Sequence, residues 1–267
     1  MTVPTVPTST SPRPDEVTED RRPGAAELGI LALSPLFPIG FAVCMGIFGH
    51  YLPPPNMVGM TAHQLVSDFY LKYGHELSYG YVSCSVIGAI YLPWSCLLAT
   101  KLRDCKGNLG PLSFMELCGG LLTTWVVMFC PAVWAACSMF ADKVDPSVIA
   151  FGHAIAWYFY DVTFMVTVVQ IAGFAVYVLS ENQQTIFPRW VGYYSLFDCA
   201  LMVPLVLIPW VGSGPFTVGG LINWWIGAAT WLAWFSICSY YMLRSIRDQR
   251  GSHNFSSLVE PSQHTAE

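Results

Sequence analysis

The chain has 267 residues with a net charge of −5; 54% of them are hydrophobic and only 11% are charged, where a soluble domain averages about 25% charged. Its mean hydropathy is +0.49. These values exclude a disordered chain, a nucleic-acid binder and an ordinary soluble enzyme, and the apolar residues form six runs that each approach or exceed the roughly 20 residues a membrane-crossing helix needs.

Residues 1–27 are Thr, Ser, Pro and charges without apolar periodicity, which predicts a disordered tail. No cleavage site follows a short apolar core, so the first run is expected to be retained as a span. Spans one to six are expected over Leu28–Gly49, Leu77–Thr100, Leu112–Phe140, Ser147–Ser180, Trp190–Pro209 and Val218–Leu243. The expected organisation is an all-α polytopic membrane helix bundle over residues 28–246, flanked by disordered cytoplasmic tails at 1–27 and 247–267. The site is expected to need no cofactor and no metal.

The loop after span one carries an element of its own. Pro53-Pro54-Pro55 is stiff and extended, and Thr61 suits an N-cap. Leu65, Val66, Phe69, Tyr70 and Tyr73 then share one face, opposite His63, Gln64, Asp68 and Lys72. That pattern predicts an outer amphipathic helix near residues 61–73, lying on the membrane interface, acting as a lid, or simply packed over loop ends.

Orientation follows from the basic residues, which collect on cytoplasmic flanks. With the N-terminus inside, the inner segments hold Arg13, Arg21, Arg22, Lys101, Arg103, Lys106, Arg189, Arg244, Arg247 and Arg250, and the outer ones only Lys72 and Lys143. Six spans in a cell membrane with both termini cytoplasmic is the consistent arrangement. Trp94, Trp190, Trp210, Trp224 and Trp225 fall near span ends, as does the Tyr240–Tyr241 pair, and read as interfacial anchors. Pro35, Pro38, Pro93, Pro131 and Pro204 lie inside spans and predict kinks. The nine cysteines show no ligand spacing and read as small apolar packing residues.

Ionisable groups inside a bilayer are functional candidates, because each costs about 2.5–3.5 kcal/mol or more at a helix centre. Here they are Glu116 in span three, His153 and Asp161 in span four, and Asp198 in span five, with Gln170 and Asn223 as neutral polar companions. Glu116 lies about one turn from the inner end, where a carboxylate can snorkel to water. His153, Trp157 and Asp161 are spaced i, i+4, i+8 and share a face. If spans four and five are antiparallel neighbours, Asp161 and Asp198 lie at similar depth and are expected to share a proton or hold a cation. The expected site is a cavity between spans three, four and five lined by Trp157, Asp161, Gln170 and Asp198, opening outward past His153. Three readings stay open: protonated carboxyls serving packing, a polar-ended pocket for an amphiphilic ligand, or an acid–base pair of Asp161 and Asp198. The motifs of serine hydrolases, zincins, P-loops and dinucleotide folds are missing, and so is an Arg ladder.

Phe187-Pro-Arg-Trp-Val-Gly-Tyr-Tyr at the start of span five, Gly214-Pro-Phe before span six, Tyr91-Leu-Pro-Trp-Ser and Pro131-Ala-Val-Trp resemble a family of bacterial, largely actinobacterial, six-span integral membrane proteins without an established activity. The resemblance covers most of residues 28–247 and implies architecture only. Where that family often continues Gly-Pro-Phe with an aromatic-Asn-Gly stretch, this chain has Thr217, Val218, Gly219 and Gly220. The leading functional expectation is binding or passage of a small lipophilic molecule, such as a lipid, sterol or terpenoid. An intramembrane enzyme and a structural subunit of a membrane complex are the alternatives. The bilayer is the certain partner, a lipophilic ligand and a membrane-complex protein are the candidates, and no nucleic acid is expected.

Overall fold

A computed structural model describes residues 24–104, 106–180 and 185–259. Most of the tail expected over 1–27, the last residues of the C-terminal tail and Cys105 lie outside these. Six helices are long and apolar enough to cross a membrane: Ala25–Phe48, His75–Thr100, Pro111–Phe140, Pro146–Leu179, Arg189–Ile208 and Leu221–Gln249. No strand occurs among the described residues. The chain is thus a multi-pass membrane helix bundle.

Span ends agree with the sequence reading except at the last, where α-helix continues to Val259 beyond the expected end at Leu243. Apolar character ends there, but Arg, Asp and Gln are compatible with helix, and Arg244 pairs with Asp248 at 3.8 Å one turn on.

Spans two, three and four pack side by side, with spans five and six completing a ring that a sparse seam closes against span one. Span three is the most enclosed, with 56% of its apolar window buried, against 39% for spans one and six. At one end of the bundle, Lys101 Nζ meets Glu27 at 3.3 Å and Tyr177 Oη donates to Arg103 O at 2.6 Å. At the other, Asn56 Nδ2 donates to Gly212 O at 3.3 Å and Ser138 Oγ to Gly74 O at 2.9 Å. The two loop sets are therefore segregated. Asp145 caps span four from this second end, and hydrogen bonds from the Ser147 hydroxyl and N–H hold its carboxyl below the usual range.

The prolines explain most helix breaks. Pro35 lacks the N–H that would serve Leu31 O, and the Ser34 hydroxyl takes that carbonyl at 2.9 Å. The helix divides there. Pro93 cannot serve Ala89 O, and span two divides between Gly88 and Tyr91. Pro204 opens a 3-10 stretch, Val203–Trp210. Pro131, by contrast, sits inside an unbroken helix, with Ser85 Oγ donating to the nearby Met128 O at 2.7 Å.

The outer helix forms over residues 62–73 behind a reciprocal cap. Thr61 Oγ1 accepts from Gln64 N at 3.2 Å and Gln64 Oε1 from Thr61 N at 2.9 Å. Its Leu65, Val66, Phe69 and Tyr70 are buried against the Pro146 end of span four, so its apolar face is a plug over the bundle. Two of the expected interfacial tryptophans also turn inward. Trp94 is fully buried and donates to Ser239 Oγ at 2.8 Å, and Trp224 packs on Trp157. Trp190, Trp210 and Trp225 remain on the outside.

Candidate functional site

The polar residues of the spans do not gather in one place; each is taken by its own neighbours. The first cluster is built on Gln170. Its Nε2 donates to Glu116 Oε1 at 2.6 Å and to Ser95 Oγ at 3.3 Å, and its Oε1 accepts from Tyr91 Oη at 3.1 Å and Thr123 Oγ1 at 3.3 Å. Thr123 and Thr167 hydroxyls add a 2.7 Å contact. One amide side chain thereby ties spans two, three and four together. Glu116 does not snorkel: it is fully buried, with Oε2 unpartnered. Gly119 and Gly120 make the room for this, one turn along the same face.

The second cluster centres on His153, also fully buried. Trp157 Nε1 donates to its Nε2 at 3.1 Å, and its Nδ1 lies 2.6 Å from Tyr70 Oη. An indole nitrogen can only donate, so Nε2 is the acceptor and the ring proton sits on Nδ1, donated to the Tyr70 oxygen. Burial pushes the Tyr70 hydroxyl well above the ordinary tyrosine value. Rings of Tyr51, Phe69, Trp134 and Trp157 surround the group. The route expected to open outward past His153 is closed by the outer helix.

Asp161 lies where three irregular stretches meet. Span four breaks after Val162 without any proline; the Thr163 hydroxyl instead bonds back to Phe159 O. Span five is in its 3-10 stretch at Leu205, and span six begins as π-helix over Leu221–Ile226. Asn223 Nδ2 donates to Asp161 Oδ2 at 3.0 Å, and Asn223 Oδ1 is unpartnered. A void of about 20 Å³ lined by Tyr160, Phe164, Leu205 and Trp231 adjoins the pair, enough for one water and for nothing larger. Interruptions of this kind recur at functional sites.

Asp198 is separate. It is fully buried and neither of its carboxyl oxygens is hydrogen-bonded. The Thr230 hydroxyl beside it is engaged with the Ile226 and Gly227 carbonyls. Asn223 and Thr230 are seven positions apart on span six, roughly 10 Å along its axis. The two aspartates thus address different levels of one helix, and the expected shared proton or cation finds no support. Among the described residues no group of three or more His, Cys, Asp or Glu could hold a metal.

The Asp161–Asn223 bond gives a measurable coupling. In a double-mutant cycle with Asp161→Leu and Asn223→Leu, thermal unfolding in detergent should yield an interaction energy of about 1 kcal/mol, with Asp161→Asn near wild type. Strictly additive losses would remove the bond from the folded protein.

A concave feature much larger than that void lies elsewhere. Between spans one and six a groove of about 690 Å³ is lined by Leu31, Ser34, Pro35, Pro38, Ile39, Ala42, Val43, Phe235, Ser236, Ser239, Tyr240 and Leu243. Its hydroxyls of Ser34, Ser236 and Ser239 are already spent on backbone carbonyls of their own helices, so they leave the wall effectively apolar. Ser239 additionally receives the Trp94 N–H from behind. Sequence reasoning missed this groove, because its lining residues carry no polar signal. The Pro35–Pro38 pair, which interrupts span one there, was the available hint.

No protein family, curated protein or solved structure matches this chain. The reading of its function therefore rests on the groove and the three polar clusters.

Proposed function

We propose that this multi-pass membrane protein binds a small lipophilic molecule within the bilayer, and that the ligand lies in the groove between spans one and six. The carrying observation is the groove itself. At about 690 Å³ it falls within the roughly 300–1,000 Å³ of small-molecule sites, and its three serine hydroxyls are already spent on backbone carbonyls. The void at Asp161 is too small for such a ligand, and Trp157, His153 and Gln170 are committed to hydrogen bonds. In this reading the buried polar clusters hold the spans in register and the groove does the binding.

The test is mass spectrometry of lipids and metabolites that co-purify with the protein. Ala42→Phe, which fills the groove from an exposed lining position, should remove the enriched species; Asp161→Asn and Asp198→Asn should retain it. Loss in the aspartate variants with retention in Ala42→Phe would move the site to the interior and overturn this reading.

The proposed orientation places both termini in the cytoplasm of a cell membrane, in the manner of the bacterial six-span family the sequence resembles. It is supported by the basic residues at the end of the bundle that holds Glu27, Lys101 and Arg103. Cysteines introduced at positions 107 and 213 should label from opposite sides; labelling from one side would refute the topology.

A further inference from the structure

We infer that the groove's ligand is an anionic phospholipid of the leaflet on the Arg247 side, with one acyl chain in the groove and its phosphate on Arg247. The inference rests on the lipophilic-ligand reading above and specifies its chemistry.

Span six presents the groove with Ser236, Ser239, Tyr240 and Leu243. Arg247 follows at the next step of that pattern, four residues past Leu243, so it continues the same helical stripe. It is exposed and makes no ion pair among the described residues, unlike Arg244, which pairs with Asp248. On the opposite wall, Glu27 stands one turn beyond Leu31 and is neutralised by Lys101 at 3.3 and 3.4 Å. Among the described residues the mouth of the groove therefore carries one unpaired positive charge. A guanidinium matches phosphate oxygens in both charge and geometry, and basic pockets between spans at an inner interface suit anionic head groups.

Length selects the occupant. On span one the lining runs from Leu31 to Val43, twelve helical steps or roughly 18 Å. The groove covers the middle of Ala25–Phe48 and falls short of the roughly 30 Å core. A partner helix, or a second copy of this chain, needs a seam along the whole core; a single acyl chain does not. The apolar wall takes the chain, and the charge at its end takes the head.

The full-length protein should be reconstituted in vesicles of equal phosphatidylglycerol and phosphatidylcholine, extracted mildly, and its retained lipid counted by native mass spectrometry. Wild type should retain phosphatidylglycerol over phosphatidylcholine about fivefold, the weight of one arginine at an anionic surface. Arg247→Gln should bring the ratio close to one, Arg247→Lys should restore much of it, and Arg244→Gln should leave it unchanged. Ala42→Phe and Ser236→Phe should each lose both lipids. A preserved ratio in Arg247→Gln, with both phenylalanine variants emptied, would overturn the head-group assignment and leave the groove standing. Retention in both phenylalanine variants would overturn the groove reading itself, and a lipid-free dimer would assign the groove to a second copy.

Discussion

Gly120→Ala is expected to destabilise the bundle by about 1–3 kcal/mol, the usual cost of overpacking, and to lower its melting temperature in detergent by roughly 5 °C or more. An added Cβ would lie 2.2 Å from Ser95 Oγ and 2.4 Å from Ser95 Cβ, with Gln170 Nε2 at 3.0 Å. Rotation about χ1 can move the Ser95 Oγ, but its Cβ is fixed to the backbone of span two and cannot swing clear. Gly119→Ala meets Gln170 Cβ at 2.6 Å and its Cα at 3.0 Å, so it pushes spans three and four apart. In both cases Gln170 shifts, and the Glu116 carboxyl loses the one partner it has, which adds the cost of an unsatisfied buried group. Gly29→Ala is the control: nothing lies within 4 Å of its added Cβ, and alanine is the better helix former, so its stability should hold or rise. Adding Ser95→Gly to Gly120→Ala should recover more than half the loss. If Gly120→Ala melts with the control, the three-span junction is not packed as described.

The architecture was legible because a bilayer imposes length and composition on each span, and those properties survive without any knowledge of neighbours. The capping pair Thr61 and Gln64 was half legible: the N-cap could be read, while the inward aim of Leu65 and Tyr70 could not, since an amphipathic face fits a membrane surface and a bundle end equally. The positions of the polar groups failed in a specific way. Glu116 looked interfacial by its distance from the helix end, yet span three begins with Pro111 and is the most enclosed helix, so its first turns are already inside protein. The stripe Glu116, Gly119, Gly120, Thr123 carried that information: small and polar residues on one face point to a close crossing with another polar helix. Asp161 and Asp198 were expected to meet because spans four and five are neighbours, which they are. The break after Val162 and the partner Asn223, on a span far along the chain, turned Asp161 toward span six instead. Pairwise choices among helices depend on side-chain fit across the whole bundle, and adjacent spans in the sequence give only the first approximation.

The second large effect should come from His153. His153→Ala is expected to cost about 3 kcal/mol, from two lost intramembrane hydrogen bonds and the cavity left among the surrounding rings. Trp157 Nε1 and the Tyr70 oxygen would both lose their partner, among the rings of Tyr51, Trp134 and Phe69. The loss should fall unevenly. Tyr70 is the residue through which the outer helix is hydrogen-bonded to span four, so that helix should loosen before the bundle does. Tyr70→Phe separates the two effects: it keeps the ring packing and removes one bond, worth about 1 kcal/mol. Trypsin cleavage after Lys72, which is exposed but held in helix, reads the opening equilibrium of that segment. Tyr70→Phe should speed cleavage about fivefold, the rate equivalent of about 1 kcal/mol, with little change in melting temperature. His153→Ala should raise cleavage further and lower the melting temperature as well. Unchanged cleavage in Tyr70→Phe would mean that apolar packing of Leu65, Val66 and Phe69 alone seats the plug, and that the buried histidine serves span four only.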